Sequence, residues 1–464
     1  MSDKNLTVEN LEAGEFGNKK IVPLFWKYSL LALLGSILQT CSLIADGIFV
    51  GNGIGSIGLA TIGIITVLWV VTASLAGMFG VGGGTIISTK LGEGDVEGAR
   101  KAYATIVIFS FLFALLISVI ALINIDSLLM ALGATSDILP HAKDYAIPFF
   151  IGFPFCVTGT GAYYYVRAAG RPKSALVSYT VPSVIAILLE YYMIYKTDLG
   201  MSGSSIPWVI CVGLPFLLVF HMQIGKKELH IKMSDFKIDF SIVKDVTKIG
   251  MAAFLSQICT VVSTIIINHQ IIVYGGSELE IASFGTINAY IAYLITLLIS
   301  AFVAGMQPIA SYNLGMKSWD RVRELIKKSF IYSCVFVNLL LVIVVIFSRP
   351  IVEFFSGDDL ALVDSTTSIL KVFIPMYGLG SMSLFVGGYF MAAGKNIKAI
   401  VSTISRIVFF AVPLLFIVPK IMGLSGIWFA QPVADVLAFI LTGILIIIEY
   451  KKLGQKDISE RLDA

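Results

Sequence analysis

Long apolar stretches dominate this 464-residue sequence and leave few folds open to it. Twelve of them approach or exceed the roughly 20 residues that a membrane-spanning helix needs. A bilayer offers no partners to backbone N–H and C=O groups, so each span must satisfy its own, as an α-helix does. The sequence therefore predicts an all-α integral membrane protein with twelve transmembrane helices. The predicted spans are residues 25–50, 57–86, 101–125, 143–166, 175–195, 203–224, 248–273, 281–308, 327–348, 368–392, 397–418 and 423–449.

The sequence also repeats itself once, at an offset of 223 to 224 residues. The matching segments are LGEGDVEGARKA from Leu91 with LGMKSWDRVREL from Leu314, AAGRPKSALVS from Ala168 with AAGKNIKAIVS from Ala392, and GMSG from Gly200 with GLSG from Gly423. Three matches in one order at one spacing indicate a duplicated unit. Because each unit holds an even number of spans, both insert in the same sense. We therefore expect two six-helix bundles related by a pseudo-two-fold axis along the membrane normal.

Basic residues in the short loops predict the orientation, since Lys and Arg are retained on the cytoplasmic side. They gather at one set of helix ends, at Lys90, Arg171 and Lys395 for example, whereas the opposite loops hold mostly acids. Both termini are thus expected in the cytoplasm, and the polar start of the chain does not resemble a signal peptide. The expected parts are a cytoplasmic tail (1–24), a six-helix bundle (25–224), a cytoplasmic linker (225–247), a second bundle (248–450) and a cytoplasmic tail (451–464).

The linker is interpreted as an amphipathic cytoplasmic connector, with contact to anionic lipid as the alternative. The net charge of +3 is explained by the basic inner loops, so no nucleic-acid partner is expected. The partners expected are the bilayer and small organic molecules, and we expect a monomer. The five cysteines lie in apolar spans without CxxC spacing and are interpreted as packing residues.

Sequence motifs for nucleotide use and for catalysis are absent. The glycine-rich GVGGGTIISTKLGEG from Gly80 lacks the Gly-Lys-Ser/Thr order of a P-loop, and its small residues favour close helix packing instead. There is no HExxH, and no GxSxG in a strand-turn-helix setting. We therefore expect no enzyme activity and no cofactor. Any uphill transport would have to draw on an ion gradient.

Two carboxylates inside predicted spans form the first candidate site, because charge is costly in hydrocarbon and marks function by default. Asp46 and Glu190 lie on two outward-running helices, and at 1.5 Å per residue their depths differ by only about 3 Å. Gln39 and Ser42 share a helix face with Asp46, as a polar path near the pair. A cation-coupling site is predicted here. The alternative is that either acid extends to the outer interface.

The second half lacks this acid pair. The repeat places His269 opposite Asp46 and Leu414 opposite Glu190, so cation coupling is assigned to the first half. A buried core histidine and a relay both remain open for His269, with a role in gating or in the substrate cavity. His221 lies near the inner end of its span and is interpreted as interfacial.

A second candidate pair lies in the last two spans. Arg406 is about 13 Å and Asp435 about 12 Å from the inner boundary, on consecutive helices. We predict a buried ion pair whose role is structural or gating, because each partner offsets the other's desolvation. Gln307, in a Gln-Pro segment, is a further candidate for gating or for the substrate cavity.

Several segments resemble the multidrug and toxic compound extrusion (MATE) transporters. They are IADGIFVGNGIGSIGLATIGI from Ile44, LGEGDVEGAR from Leu91, AAGRPKSA from Ala168, QPIASYNLGMKSWDRV from Gln307 and GIWFAQPVAD from Gly426. The resemblance covers essentially all twelve spans. It implies two six-helix bundles around a central cavity, and secondary active efflux of organic cations by antiport with protons or sodium ions.

The resemblance also assigns residues. Asp46 matches the family's first-helix acid, and Glu190 stands where the fifth helix usually has Asp. Ala186 stands where Asn is frequent and Trp208 near a usual Thr, which removes oxygen donors that sodium would need and favours H+ as the coupling ion over Na+. Phe, Met and Tyr side chains would suit flat, amphipathic cations. A flippase for a lipid-linked saccharide of the same superfamily, or an uncoupled channel or scaffold, are the alternatives.

Overall fold

A computed structural model describes residues 12–222, 230–231, 237–356 and 359–463. Residues 1–11 of the predicted N-terminal tail, residues 225–229 and 232–236 of the predicted linker and the last residue of the C-terminal tail lie outside these ranges. Every regular element within the described ranges is helical. The prediction of an all-α protein is confirmed.

Nine α-helices come from the described residues of the first half of the chain. They are α1 (Glu15–Asn18), α2 (Ile21–Gly53), α3 (Ser56–Gly92), α4 (Val96–Ile123), α5 (Ile125–Ala131), α6 (Leu139–Ala168), α7 (Pro172–Lys196), α8 (Ser202–Gly213) and α9 (Leu217–His221). The second half contributes ten among the described residues. They are α10 (Phe240–Val273), α11 (Glu278–Thr286), α12 (Tyr293–Gly315), α13 (Trp319–Ile346), α14 (Ser348–Ser356), α15 (Leu360–Phe373), α16 (Tyr377–Ala392), α17 (Asn396–Ile404), α18 (Val412–Met422) and α19 (Ser425–Asp463).

The number of membrane spans agrees with the sequence. By length and composition, eleven helical stretches in the described residues can cross a membrane, and a twelfth results if α15 and α16 together form one span. The helices extend beyond the predicted hydrophobic spans, as α3 does by six residues past residue 86. Hydropathy marks the hydrocarbon-embedded part of a helix, whereas the helix itself continues through polar turns. The short helices α5 and α14 were not predicted, since neither is long enough to produce a spanning pattern.

Four predicted spans are interrupted. The sixth passes through a 3-10 turn, Leu214–Phe216, between α8 and α9. The tenth breaks between α15 and α16, which meet at an angle of 57° with Pro375 in the gap. A proline lacks the backbone N–H that would continue the helix. The eighth contains a π-helical segment, Ile287–Ala292, and the eleventh contains another, Ser405–Ala411. Single π turns within longer helices often accompany functional sites.

The chain divides into two compact units that do not follow the sequence halves. Unit 1 is Met1–Lys19, Leu30–Phe254 and Ser311–Met316, and unit 2 is Lys20–Ser29, Leu255–Ala310 and Lys317–Ala464. The first turns of α2 thus belong to unit 2, while the start of α10 and the end of α12 belong to unit 1. The bundle boundaries at residues 224 and 248 remain a prediction.

Unit 1 is built around α6, the helix most deeply buried among the candidate spans. In the same unit, α3 and the start of α10 approach each other closely through glycine. A side chain at Gly82 would lie 2.2 Å from the Val246 carbonyl oxygen, and one at Gly250 would lie 1.9 Å from that of Met78. Neither position tolerates even a methyl group. The glycine-rich segment therefore serves close packing, as the sequence indicated.

In unit 2, the loop between α16 and α17 is tied to α19 by charge. Lys395 and Lys398 both pair with Glu449, whose side chain is 1% exposed, and the Lys398 Nζ lies 3.1 Å from Glu449 Oε2. Two cations around one buried carboxylate compensate its desolvation. This fixes the end of α16 against the long final helix.

Candidate functional site

Asp46 of α2 and Glu190 of α7 meet inside unit 1. Their side chains are buried, with 4% and 3% of their surface exposed, and the two carboxyl groups lie within hydrogen-bonding reach of each other. Ser204 of α8 donates a hydrogen bond from its Oγ to Asp46 Oδ1 at 2.5 Å. Three helices thus converge on one acidic centre. The depth arithmetic from the sequence brought the correct two acids together.

The start of α8 is held against α6 by serine side chains. Ser202 Oγ donates to the Asp144 carbonyl oxygen and Ser205 Oγ to that of Tyr145, each at 2.7 Å. Ser204 lies between them and is fully buried. These contacts fix the first turn of α8, so that the Ser204 hydroxyl points at Asp46.

Within the part of the chain that the structure describes, neither Asp46 nor Glu190 forms an ion pair with a basic side chain. The groups that act electrostatically on Glu190 are Asp46 and Cys211, and neither is positive. Glu190 Oε1 is buried and has no hydrogen-bond partner. An ionised carboxylate only accepts hydrogen bonds, so two carboxyl groups can bond to each other only when one carries a proton. The arrangement is therefore chemically suited to hold and release a proton.

An aromatic group adjoins the acids. Tyr145 of α6 interacts electrostatically with both carboxyl groups, and its hydroxyl accepts a hydrogen bond from Trp69 Nε1 at 2.9 Å. Trp69 in turn stacks on Trp208, with ring centroids 5.9 Å apart and planes within 10°. Both indoles are half-buried. A flat, partly exposed π surface is thus connected to the acidic centre through one tyrosine.

Polar groups continue away from the acids along α2, α7 and α8. Ser183 Oγ lies 3.6 Å from Cys211 Sγ, and Ser42 lies near the same thiol. All three side chains are at least nine-tenths buried. Gln39, by contrast, is half-buried on α2. The places of Gln39 and Ser42 in a polar path remain predictions.

Arg406 and Asp435 meet inside unit 2. Arg406 Nε donates to Asp435 Oδ1 at 2.6 Å, and Gln431 Nε2 donates to the same oxygen at 2.9 Å. Asp435 is fully buried and Arg406 is 7% exposed. The guanidinium carbon lies 3.9 Å from the centre of the Tyr377 ring, in a cation–π contact. A carboxylate is again buried in the membrane domain, but here an arginine balances its charge.

This ion pair sits where the helices of unit 2 are irregular. Arg406 belongs to the π segment Ser405–Ala411, and Tyr377 is the first residue of α16 after the 57° break. The Tyr377 hydroxyl lies 3.4 Å from Thr296 Oγ1, one turn beyond the other π segment. A side chain at Gly380 would lie 2.2 Å from Asp435 Oδ1, so α16 approaches the carboxylate as closely as glycine allows.

The remaining candidates are placed apart from both pairs. Gln307 is buried in α12, where its Nε2 lies 3.4 Å from the Gly388 carbonyl oxygen. His269 is exposed on α10, so its interpretation as a buried core histidine is wrong. A relay or gating role for it stays a prediction. His221 is exposed at the end of α9.

Sequence reasoning missed Ser204, Tyr145 and Cys211 as members of the acidic centre. The GMSGSS segment from Gly200 carried a weak signal, since it stands in the repeat and opens a span with three small polar residues. Tyr145 and Cys211 lie in apolar runs in which nothing distinguishes a contact residue from a packing residue. Among the described residues, no group of three or more His, Cys, Asp or Glu side chains could hold a metal ion.

Comparison with known proteins gives one family. The MatE family profile matches residues 32–192 and 252–417, more than half of the chain. Multidrug export protein MepA of Staphylococcus haemolyticus (strain JCSC1435) is 25% identical over 423 residues, covering 90% of this chain and 92% of that protein. MepA of Staphylococcus aureus (strain MRSA252) is 25% identical over 439 residues, covering 94% and 95%. A solved outward-facing MATE family transporter of the MOP superfamily has a similar fold, with a TM-score of 0.86 at 20% identity over 95% of this chain and 98% of that one.

Proposed function

This chain belongs to the MatE family of multidrug efflux transporters, and we propose that it exports flat organic cations in exchange for protons. The proposal on the coupling ion rests on one observation: Asp46 and Glu190 are buried close to each other, and neither forms an ion pair among the described residues. A pair of this kind binds a proton readily and loses it only when a cation or an imposed gradient favours ionisation.

The ligand count supports protons over sodium. A hard cation takes several oxygen ligands, commonly six or more for the divalent ions. Around Asp46 the described contacts offer the two carboxyl groups and the hydroxyl of Ser204, while Ala186 and Trp208 contribute no oxygen. A proton needs only a lone pair. The site is therefore better suited to titration than to metal coordination.

The proposed exchange follows from charge. With a proton on the pair, the centre carries less negative charge and binds an organic cation weakly. Once the proton leaves, the ionised acids attract a cation, which the Trp69–Trp208 surface would hold by cation–π and stacking contacts. Substrate and proton thus bind one after the other at the same unit. A transporter that alternates between two states converts this competition into exchange.

In unit 2 we propose a gating role for the Arg406–Asp435 pair. It connects the π segment, the break before α16 and, through Tyr377, the neighbourhood of the second π segment. Those are the places where the helices depart from regular geometry. Gln307 and His269 are proposed members of the same moving unit, and both termini are proposed to lie in the cytoplasm of a monomeric transporter.

Transport in proteoliposomes tests the coupling ion. Purified protein is reconstituted, and ethidium flux is followed under a pH gradient and, separately, under a sodium gradient at constant pH. We expect flux under the pH gradient alone, with protons moving in the opposite direction to ethidium. Flux driven by sodium and insensitive to pH would overturn the proton proposal. Ethidium flux that dissipates its own gradient and responds to neither ion would indicate a channel.

A further inference from the structure

We propose that protons travel between the acid pair and the end of unit 1 that carries the basic loops along a buried row formed by Ser42, Cys211, Ser183 and Tyr179, which Arg167 closes at its far end. This inference rests on the proposed proton coupling. The acid pair alone does not provide a route, because it is buried and its protons must reach both sides of the membrane.

The first part of the row adjoins the acids. Glu190 and Ser183 lie seven residues apart on α7, so they share a face. Ser183 Oγ lies 3.6 Å from Cys211 Sγ, Ser42 lies near the same thiol, and Ser42 precedes Asp46 by one turn of α2. The Cys211 thiol and Glu190 also interact electrostatically. A hydroxyl, a thiol and a second hydroxyl therefore follow directly on the two carboxyl groups.

The second part continues along α7. Tyr179 lies one turn before Ser183 on the same face, is 7% exposed and interacts electrostatically with Cys211. Its ring centroid lies 4.5 Å from that of Tyr163 on α6, with the planes at 70°. This ring contact joins α7 to the last turns of α6. The remaining groups that act on Tyr179 are Tyr164 and Arg167.

Arg167 ends the row. Its Nη1 donates to the Tyr163 hydroxyl at 3.2 Å, and its guanidinium carbon lies 5.0 Å from the centre of the Tyr163 ring and 5.1 Å from that of Tyr164. The side chain is 3% exposed at the end of α6. A fixed positive charge at the mouth of a polar pathway repels protons. Arg167 held between two tyrosines is therefore a barrier against leak in the state seen here.

The groups of the row relay protons, and the protonation state of each group is the same before and after one relay. Each hydroxyl or thiol accepts a proton on a lone pair and passes its own proton forward, so one proton leaves the acid pair for each that leaves the row. No oxidant and no covalent bond to carbon is involved. The reverse sequence returns each group to its starting orientation.

Variants of Cys211 test the row. Cys211→Ala and Cys211→Ser are compared with the wild-type chain and with Cys334→Ala, a half-buried cysteine of unit 2. Ethidium movement is measured in two modes, driven by a pH gradient and as ethidium–ethidium counterflow at equal pH. We expect Cys211→Ala to slow pH-driven flux at least about tenfold, since a positioned relay group contributes that much or more, with counterflow unchanged. Cys211→Ser should restore the flux.

Three outcomes would overturn the row. If Cys211→Ala loses flux equally in both modes, Cys211 has a packing role. If Cys211→Ser does not restore the flux, Cys211 is not a relay group. If pH-driven flux is unchanged in Cys211→Ala, the proton route lies elsewhere. If wild-type flux itself ignores the pH gradient, the proton proposal fails. If wild-type flux follows that gradient and only the Cys211 results disagree, the row alone fails.

The rate of proton leak into liposomes tests whether Arg167 is a barrier. Liposomes containing Arg167→Gln are loaded with a pH-sensitive dye and exposed to a pH step without ethidium. We expect proton entry several times faster than in wild type, whereas Arg323→Gln, which removes an arginine stacked on Tyr450 in unit 2, should leave leak unchanged. If Arg167→Gln leaks protons no faster than the wild type, and its ethidium counterflow shows that it is folded, Arg167 is not a barrier to protons.

Discussion

Unit 1 and unit 2 each bury a carboxylate, but its charge is compensated in different ways. In unit 1, Asp46 faces Glu190 and a serine hydroxyl, so a mobile cation is needed to neutralise its negative charge. In unit 2, Asp435 receives two hydrogen bonds, one of them from Arg406, so its charge is balanced by the protein itself. One unit thus holds two neighbouring buried acids, and the other holds a buried ion pair. We propose that the chemistry of exchange belongs to the unit whose acids form no ion pair.

The difference also separates function from stability. A buried acid pair is costly unless it binds a proton, so its occupancy responds to pH. A buried ion pair costs much less when intact but is expensive to break, because removing one partner strands the other charge. Substitutions in unit 1 should therefore change coupling, and substitutions in unit 2 should change folding or the balance between states.

The largest expected effect is on coupling. Asp46→Asn keeps the shape of the side chain and removes its titration, so ethidium export driven by a pH gradient should be abolished while ethidium binding persists. Proteoliposome flux and equilibrium binding are measured on the same preparation. Asp137→Asn, an exposed acid of unit 1, is the control and should behave as wild type. Coupled export by Asp46→Asn would remove Asp46 from the mechanism.

The next effect is on stability in unit 2. Arg406→Ala should lower the free energy of unfolding by about 3–5 kcal/mol, since it leaves Asp435 buried without its cation. The double variant Arg406→Ala with Asp435→Ala should recover much of that loss. Unfolding in detergent micelles provides the measurement. A double variant as unstable as the sum of the two single variants would show that the contact contributes no coupling energy.

Glu190→Gln should give a smaller change in unit 1. With one carboxyl group left, the pair can no longer share a proton between two acids, and the pH profile of ethidium export should change from two coupled titration steps to one. Flux is measured across a series of equal-step pH gradients centred at different pH values. A profile identical to that of the wild type would mean that Glu190 does not take part in proton binding.

The smallest predicted effect concerns Ser204. Removing its hydroxyl in Ser204→Ala costs the Asp46 carboxylate one hydrogen bond, a loss of about 1.5–3 kcal/mol for a bond to a charged group. The pH at which export is half-maximal should therefore change, without loss of maximal flux. Ser205→Ala, which affects a backbone contact instead, is the matched control. Equal pH profiles for both variants would contradict a direct role.

Helix arithmetic predicted both buried pairs, because depth along a regular helix depends only on residue count and the positions of the basic ends. Asp46 with Glu190 and Arg406 with Asp435 followed from that count. Nine prolines in the predicted spans predict interruptions, but Pro375 could not be singled out because most of the others lie inside continuous helices. The π segments were not predicted. The contacts of Ser204 and Cys211 depend on helix rotation, which the apolar pattern of a membrane helix leaves open. The exposure of His269 escaped prediction for the same reason.

The membership of helix ends in the two units bears on how the duplication arose and how the chain can be divided. Lys20–Ser29 come from the first half of the sequence yet complete unit 2, and Ser311–Met316 come from the second half yet complete unit 1. If the polypeptide were cut at the linker, each fragment would carry a segment that belongs to the other unit. Each fragment would also lack a segment that its own unit needs. The fragments should be unstable when expressed singly and should mature only when co-expressed. By the same logic, an ancestral half-length chain would have been a segment-swapped dimer, and gene fusion would have made an existing exchange permanent.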